Sequence, residues 1–446
     1  MILGDGYTSD DLAKYAADVN VLLRRLFLHE PFAHYASYFK VRRVDVASNE
    51  SGVDHPARNV FRDTALGAAY DCEGIALLIC VDVSAVLDVL GRSVPATARD
   101  IVVVIVNDAE YGGSGGYLAV TSTHDLAAEV LLHELGHSFG LLADEYWAGG
   151  LPCVNSVEPP QVNVTRESRA AAIKWSYWIE PGTPVPATGT TPGVVSAYEG
   201  AKYCESGLFR PTFDSRMRSV DKPFEQVNTE QLIKRIYNLV SPIDAVSPTI
   251  TELQSDGCDS LHFSVRTPGD SGLAETLETA WYIDGGVAGR GNALTVFSCL
   301  LPVGMHRIEV EVRDVTPAVR RDPDGALVER FQWDLETSAS TPSGFTDHPI
   351  VPRTTPVRAV HFLELRARIG VLRARAGLPA APWTDPDLAA GVRVRRVHLT
   401  ELRRALDAVY DARSLRRPQY TDTALGGVPL RAAHLMELRD AVLALE

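Results

Sequence analysis

The residue types best suited to chemistry sit together in His133-Glu134-Leu135-Gly136-His137, with Gly140, Asp144 and Glu145 close behind. Leu126, Val130, Leu131, Leu135 and Phe139 recur at helical spacing, so this stretch is expected to be a helix with one apolar side. On it His133 and His137 stand four residues apart and leave the same face, one turn from each other. Two imidazoles so placed can hold two corners of a zinc tetrahedron, and Glu134 can reach a zinc-activated water as general base. A catalytic zinc needs a third protein ligand and one open position. Gly140 is expected to turn left-handed, end the helix and bring the chain back under the metal. Asp144 and Glu145 are then both in reach. Asp144 is favoured as ligand, with Glu145 as an outer hydrogen-bonded or salt-bridged partner.

Several elements must position these groups. Ile101 to Val106 is a continuous branched run, expected to be a buried strand. Thr8 or Ser9 can cap a helix reaching about Leu28, with Leu12, Tyr15, Val19, Leu22 and Leu26 on one side. Tyr38 to Val46 alternates like a strand, and Ala85 to Leu90 reads as helix. The glycine run Tyr111 to Gly116 leads into a second strand over Tyr117 to Thr121. No Gly-Lys-Ser/Thr follows that run, so it is not a phosphate loop.

The motif and its surroundings resemble the bacterial zinc metallopeptidase family named for its immunoglobulin-A peptidase, a relative of the metzincins. Gly4-Asp5-Gly6-Tyr7-Thr8, Asn107-Asp108, Tyr111-Gly112-Gly113-Ser114-Gly115-Gly116 and Asp144-Glu145-Tyr146 carry the resemblance alongside the histidines. It covers about the first half of the chain. It implies an α/β (α+β) metzincin-like domain, His133, His137 and Asp144 as zinc ligands, and Glu134 as base. In common metzincins the third ligand stands ten positions after the first histidine, which here is Ala143; Asp144 stands eleven after (144 − 133). The resemblance also puts Met217 in a turn beneath the metal. It implies a substrate backbone aligned along an edge strand, for which Gly113, Gly115, Gly116, Tyr117 and Ala119 are the expected rim. Tyr146 and Tyr203 are further groups able to donate to an oxyanion.

Gly149 to Gly207 is rich in Pro, Gly and Thr and is expected to form long surface loops walling the cleft. A helix follows over Glu225 to Leu239. From Ser247-Pro248 the chain changes character. Short alternating segments between turns, with Trp281 inside, predict an immunoglobulin-like β-sandwich over 247–338. A Ser/Thr/Pro-rich linker at 339–356 precedes a repeat. Val357-Arg358-Ala359-Val360-His361 returns around His398 and His434, spaced 37 and 36 residues apart (398 − 361, 434 − 398). Trp383-Thr384-Asp385 and Tyr420-Thr421-Asp422 recur between them. These features predict an α-helical repeat module over 357–446 whose neighbours stack apolar faces. His361, His398 and His434 each precede a glutamate by three positions, a spacing expected to give structural hydrogen-bonded pairs rather than metal sites. The catalytic domain is therefore assigned to 1–246.

At 446 residues with a net charge of −14, the chain suits two or three soluble domains and not a nucleic-acid binder, which needs a basic footprint. No apolar run is long enough to cross a bilayer. Six cysteines suggest the pairs Cys72–Cys80, Cys153–Cys204 and Cys258–Cys299. An export signal is expected upstream of Met1, and the expected address is extracellular or on a bacterial cell surface. These observations predict a secreted zinc endopeptidase acting on protein or peptide substrates of the extracellular space. Its C-terminal modules would engage a cell-surface or matrix partner. The alternative is a zinc-containing surface adhesin without turnover.

Overall fold

The computed structural model describes every residue except 149–152, 154–156, 256–259, 270–274, 299–300, 339–343, 386–387 and 389–392. Cys258 and Cys299 fall outside the described residues. The branched run after Asp100 forms strand β3 (Val103–Val106), all four residues buried. It lies between β1 (Ile2–Asp5) and β5 (Ala119–Thr121), parallel to both. The short β2 (Arg43–Val44) and β4 (Gly113–Ser114) complete the order β2-β1-β3-β5-β4, with β4 the one antiparallel strand and the edge.

Apolar residues alternate between the faces of this sheet with the period of two that strands impose. Ile2, Val103, Ile105 and Ala119 pack against α1 (Leu12–Leu26) and α3 (Ala127–Ser138) through Tyr15, Val19, Leu22, Leu131 and Leu135. Leu3, Val104, Val106 and Val120 pack against α2 (Val83–Ser93) through Val86 and Leu90. Each such fully buried branched side chain contributes about 1.5–3 kcal/mol. Thr8 and Asp11 form the cap ahead of α1, and Asp82 accepts from Ser84 and Ala85 to start α2. The strand expected over Tyr38 to Val46 shrinks to β2. Arg43 and Val44 stand in register with Ile2 and Leu3 of β1, and Arg42 O accepts from Ile2 N–H, while Phe39 turns aside to meet Phe27 and Phe32.

Gly149 to Gly207 is more than the expected surface loops. Ile173, Trp175, Trp178, Val195 and Ala197 build a buried cluster with Phe209 and Val227. Trp175 donates to Ser196 O at 2.7 Å. Hairpin β6 (Tyr198–Ala201) and β7 (Cys204–Arg210) closes the region, stapled by Cys153–Cys204. A second disulfide joins Cys72 and Cys80. Helix α4 (Glu225–Tyr237) packs Leu232, Ile233 and Ile236 against α3.

The chain divides into two compact units. The first is Met1–Pro242 together with Thr267–Leu277 and Arg313–Glu329. Asp314 belongs to it, accepting from the hydroxyls of Tyr35 and Tyr237 at 2.7 Å each.

In the second unit, β8 (Ala245–Ser247), β10 (Ser260–Arg266) and β13 (Ala293–Phe297) form one sheet in the order β13-β10-β8. A second sheet, whose strand ends at Leu277, Arg313–Asp314 and Val328–Glu329 belong to the first unit, runs β12-β11-β14-β15-β9, from β9 (Glu252–Ser255), β11 (Leu277–Ile283), β12 (Gly286–Arg290), β14 (Gly304–Asp314) and β15 (Val328–Thr337). Phe263 of the first sheet meets Trp281 and Trp333 of the second, the two indoles stacked 5.9 Å apart.

Three helices follow: α5 (Ala359–Arg375), α6 (Arg396–Ala412) and α7 (Ala432–Leu443). They share one apolar core that begins at Phe345 and Ile350. Their polar contacts close a ring. Arg366 donates to the carbonyls of Thr384 and Asp385 and faces Glu401. Arg403 does the same to Thr421, Asp422 and Glu437. Arg439 returns to Thr346 and to Glu364 on α5. The expected His–Glu pairs are not formed. Each histidine instead bonds an aspartate of the preceding connector, and each glutamate accepts from the neighbouring threonine.

Candidate metal centre

Helix α3 buries Ala128, Leu131, Leu132 and Leu135 against the sheet, and Glu134 and His137 lie beside Gly113 of β4 and Gly115 just beyond it. Nδ1 of His133 donates to Arg216 O at 2.8 Å, and Nδ1 of His137 to Leu142 O at 2.9 Å. A carbonyl can only accept, so both ring protons sit on Nδ1 and a lone pair is left on each Nε2. The two Nε2 atoms lie 3.1 Å apart, and Oδ1 of Asp144 lies 3.2 Å from each. That oxygen is buried and has no hydrogen-bond partner.

Three acceptors so close together require a cation among them. A tetrahedral ion with bonds of about 2.0–2.1 Å sets its ligand atoms about 3.3–3.4 Å apart, close to the observed triangle. The three residues could hold a metal ion. Without one, the same crowding draws in a proton. Burial lowers the pKa of His137, but facing Asp144 outweighs it and pushes it up to about 9. Burial raises that of Asp144, but the two imidazoles hold it well below the usual carboxylate range. A metal must displace the proton on binding.

The chain reverses after α3 by a route the sequence did not indicate. Gly140 is not the left-handed residue; Leu141 is, at φ 57°. Gly140 is needed for space, because a Cβ there would lie 2.7 Å from Gly136 O and 2.9 Å from Leu232. Leu141 N–H donates to His137 O and Leu142 N–H to Gly136 O, closing the turn. The reversal brings Leu142 O to His137 and Asp144 to the imidazoles.

Glu145 points away from the centre and is fully buried. Ser215 donates to one of its oxygens at 2.7 Å, and Asn163 and Asn228 to the other at 3.0 and 2.8 Å. Burial pushes its pKa up against those three donors. Its own N–H donates to Met217 O at 2.8 Å. Glu145 therefore ties the chain after α3 to the 215–217 turn, whose Arg216 carbonyl orients His133. Met217 is buried, its sulfur packed where a side chain at Gly136 would go.

Glu134 is half-buried beside the triangle, and burial raises its pKa, partly offset by the two histidines. The backbone of Gly115 presses on it; a Cβ there would meet Glu134 Oε2 at 2.6 Å. Of the expected rim, Gly113 lies on edge strand β4, and Gly115, Gly116 and Tyr117 are exposed beyond it. Ala119 is not at the rim. It is buried in β5, covered on its two sides by β3 and β4.

Tyr203 was not among the principal sequence candidates, and its hydroxyl donates to Asp144 Oδ2. Tyr146 packs edge-on against it, ring centroids 5.3 Å apart. Arg216 O, Leu142 O and Tyr203 come from turns and a hairpin with no periodic signature. A second group, His55, Asp108 and Glu110, could also hold an ion. Its charges are already matched: His55 Nε2 meets Asp108 at 2.8 Å, and Arg58 reaches both Glu110 oxygens at 2.6 Å.

The family model described as IgA Peptidase M64 matches residues 1–189. No curated protein matches the chain. Among solved structures, fibronectin(III)-like modules of CbhA from Clostridium thermocellum are 15% identical at a TM-score of 0.16, covering 22% of this chain and 98% of theirs. The endo-beta-1,4-mannanase from Thermotoga petrophila is 10% identical at a TM-score of 0.15, covering 72% of this chain and 62% of its own. TM-scores this low carry no argument about fold. The family match is another matter: residues 1–189 match the IgA peptidase M64 family model, and that match points to a peptidase domain.

Proposed function

We propose that the chain is a secreted, zinc-dependent endopeptidase of bacterial extracellular or cell-surface location, cleaving peptide bonds of extracellular proteins. The observation that carries this reading is the convergence of His133 Nε2, His137 Nε2 and Asp144 Oδ1, with Glu134 on the same helical turn. The two disulfides suit an oxidising compartment. His133, His137 and Asp144 would hold the zinc, while Glu145 and Met217 brace the turn that orients them.

Zinc in such a site supplies Lewis acidity that brings the pKa of a water near 7. Glu134, raised by burial, takes the proton of the attacking water and returns it to the leaving amine. Gly113 is already bonded to Leu77 O and Ile79 N–H, so the exposed backbone of Gly115 and Gly116 just beyond β4 would offer the partners to an extended peptide, aligning its scissile bond along α3. In this reading residues 1–246 form a metzincin-like catalytic domain. Residues 247–338 form an immunoglobulin-like sandwich, 339–356 a linker, and 357–446 a helical repeat module for a surface or matrix partner.

The test compares wild type with Glu134→Gln on a quenched-fluorescence peptide library, zinc content measured in both. The expected loss is about 10²–10⁴-fold in kcat/KM with zinc retained. Equal cleavage by both would refute the mechanism, and zinc uptake with no cleavage by either would favour a binding protein.

A further inference from the structure

We propose that Tyr203 is a positioning residue of the metal centre, holding Asp144 so that Oδ1 alone faces the histidines. The proposal rests on the reading of His133, His137 and Asp144 as a zinc site. A carboxylate has two oxygens and can bind a metal through one or both. Here Oδ2 accepts from the Tyr203 hydroxyl, while Oδ1 faces both Nε2 atoms at 3.2 Å with no donor of its own. The two oxygens are thereby assigned different tasks.

The hairpin that delivers this hydroxyl is built for the purpose. Tyr203 is 51% exposed, yet its hydroxyl turns inward to a carboxylate that is 6% exposed. Lys202 and Tyr203 are the two central residues of the β6–β7 turn, both left-handed at φ 50° and 67° as a type I′ hairpin turn requires. Three backbone bonds tie this turn to the segment around the metal ligand. Lys202 N–H donates to Asp144 O at 2.9 Å, Tyr203 N–H to Tyr146 O at 3.0 Å, and Ala148 N–H to Tyr203 O at 3.3 Å. The next residue, Cys204, is bonded to Cys153. The segment after the metal ligand and the tip of the hairpin thus form one clamp.

Groups that orient a metal ligand typically change metal affinity 10–100-fold when removed. Tyr203→Phe keeps the ring against Tyr146 and deletes only the hydroxyl. Zinc Kd, from competition with a chromogenic chelator, is expected to weaken about 10–100-fold. The visible absorption of the cobalt-substituted variant should shift as the carboxylate rotates, and the melting temperature of the metal-free variant should match wild type. Unchanged zinc affinity and cobalt spectrum would overturn the proposal, as would a lower metal-free melting temperature with unchanged affinity. Failure of wild type itself to bind zinc would remove the underlying metal reading as well. Wild-type binding matched by Tyr203→Phe removes this inference alone.

Discussion

Two of the regions where histidine meets aspartate and glutamate behave in opposite ways. In the helical unit every histidine is satisfied. His361, His398 and His434 each accept a backbone N–H at Nδ1 and meet an aspartate at Nε2, at 2.9–3.0 Å. On α3 the pattern is inverted: Nδ1 is spent on a carbonyl, and both Nε2 lone pairs point at a third acceptor. Residue type does not separate a structural cluster from a metal centre. What separates them is whether converging atoms already have donors.

The sharpest way to break this contrast is to remove one histidine from each region. His133→Ala is expected to abolish stoichiometric zinc and all peptide cleavage, read by metal analysis and turnover. Next comes closure of the helical ring. Arg439 and Glu364 are both buried, so Arg439→Met leaves the carboxylate charge with only the Thr346 donors and should cost about 3–5 kcal/mol. Hydrogen exchange over α5 and α7 reports it, and zinc content should not change. His398→Ala is smaller, about 1–3 kcal/mol, since it leaves the Arg395 N–H without an acceptor and Asp385 with the Arg395 guanidinium alone. If His398→Ala lowered zinc content, the distinction between the regions would fail.

Acid gives the mildest test. Burial, working against Asp347, lowers the pKa of His361, so the unfolded chain takes up a proton below about 6.5 that the folded one refuses. Asp347 and Asp385 lie below their ordinary 3.8, held by Arg358 and His361, and by Arg395 and His398. Their contribution is present above 3.8 and lost as pH falls through the lowered values. Exchange protection in α5 should therefore decline from about pH 6.5 downward, and protection in both α5 and α6 should fall below about pH 4. Constant protection from pH 7 to 3 would contradict these assignments.

How far residues alone revealed this arrangement depends on the range of the interaction. His133 and His137 were legible because helical spacing is local, and β3 because a run of branched residues has one comfortable setting. Asp144 followed from an acid pair just past the helix. Leu141 could not be anticipated, because glycine at 140 looked like the left-handed residue when it was required only for clearance. Tyr203 and Arg216 act from 59 and 83 residues away, through a hairpin and a turn that leave no periodicity. Trp175 and Trp178 were hidden in a Pro- and Gly-rich stretch whose composition reads as surface. The repeat was plain, but its closure was not. Equal spacing suits an open stack as well as a ring, and only Arg439 reaching back to Thr346 decides between them.

The most direct test of the central claim is anomalous scattering at the zinc edge from crystals of the full chain. The expected result is a single peak within about 2.0–2.2 Å of His133 Nε2, His137 Nε2 and an oxygen of Asp144. No peak there, or one at His55 and Asp108 instead, would contradict it.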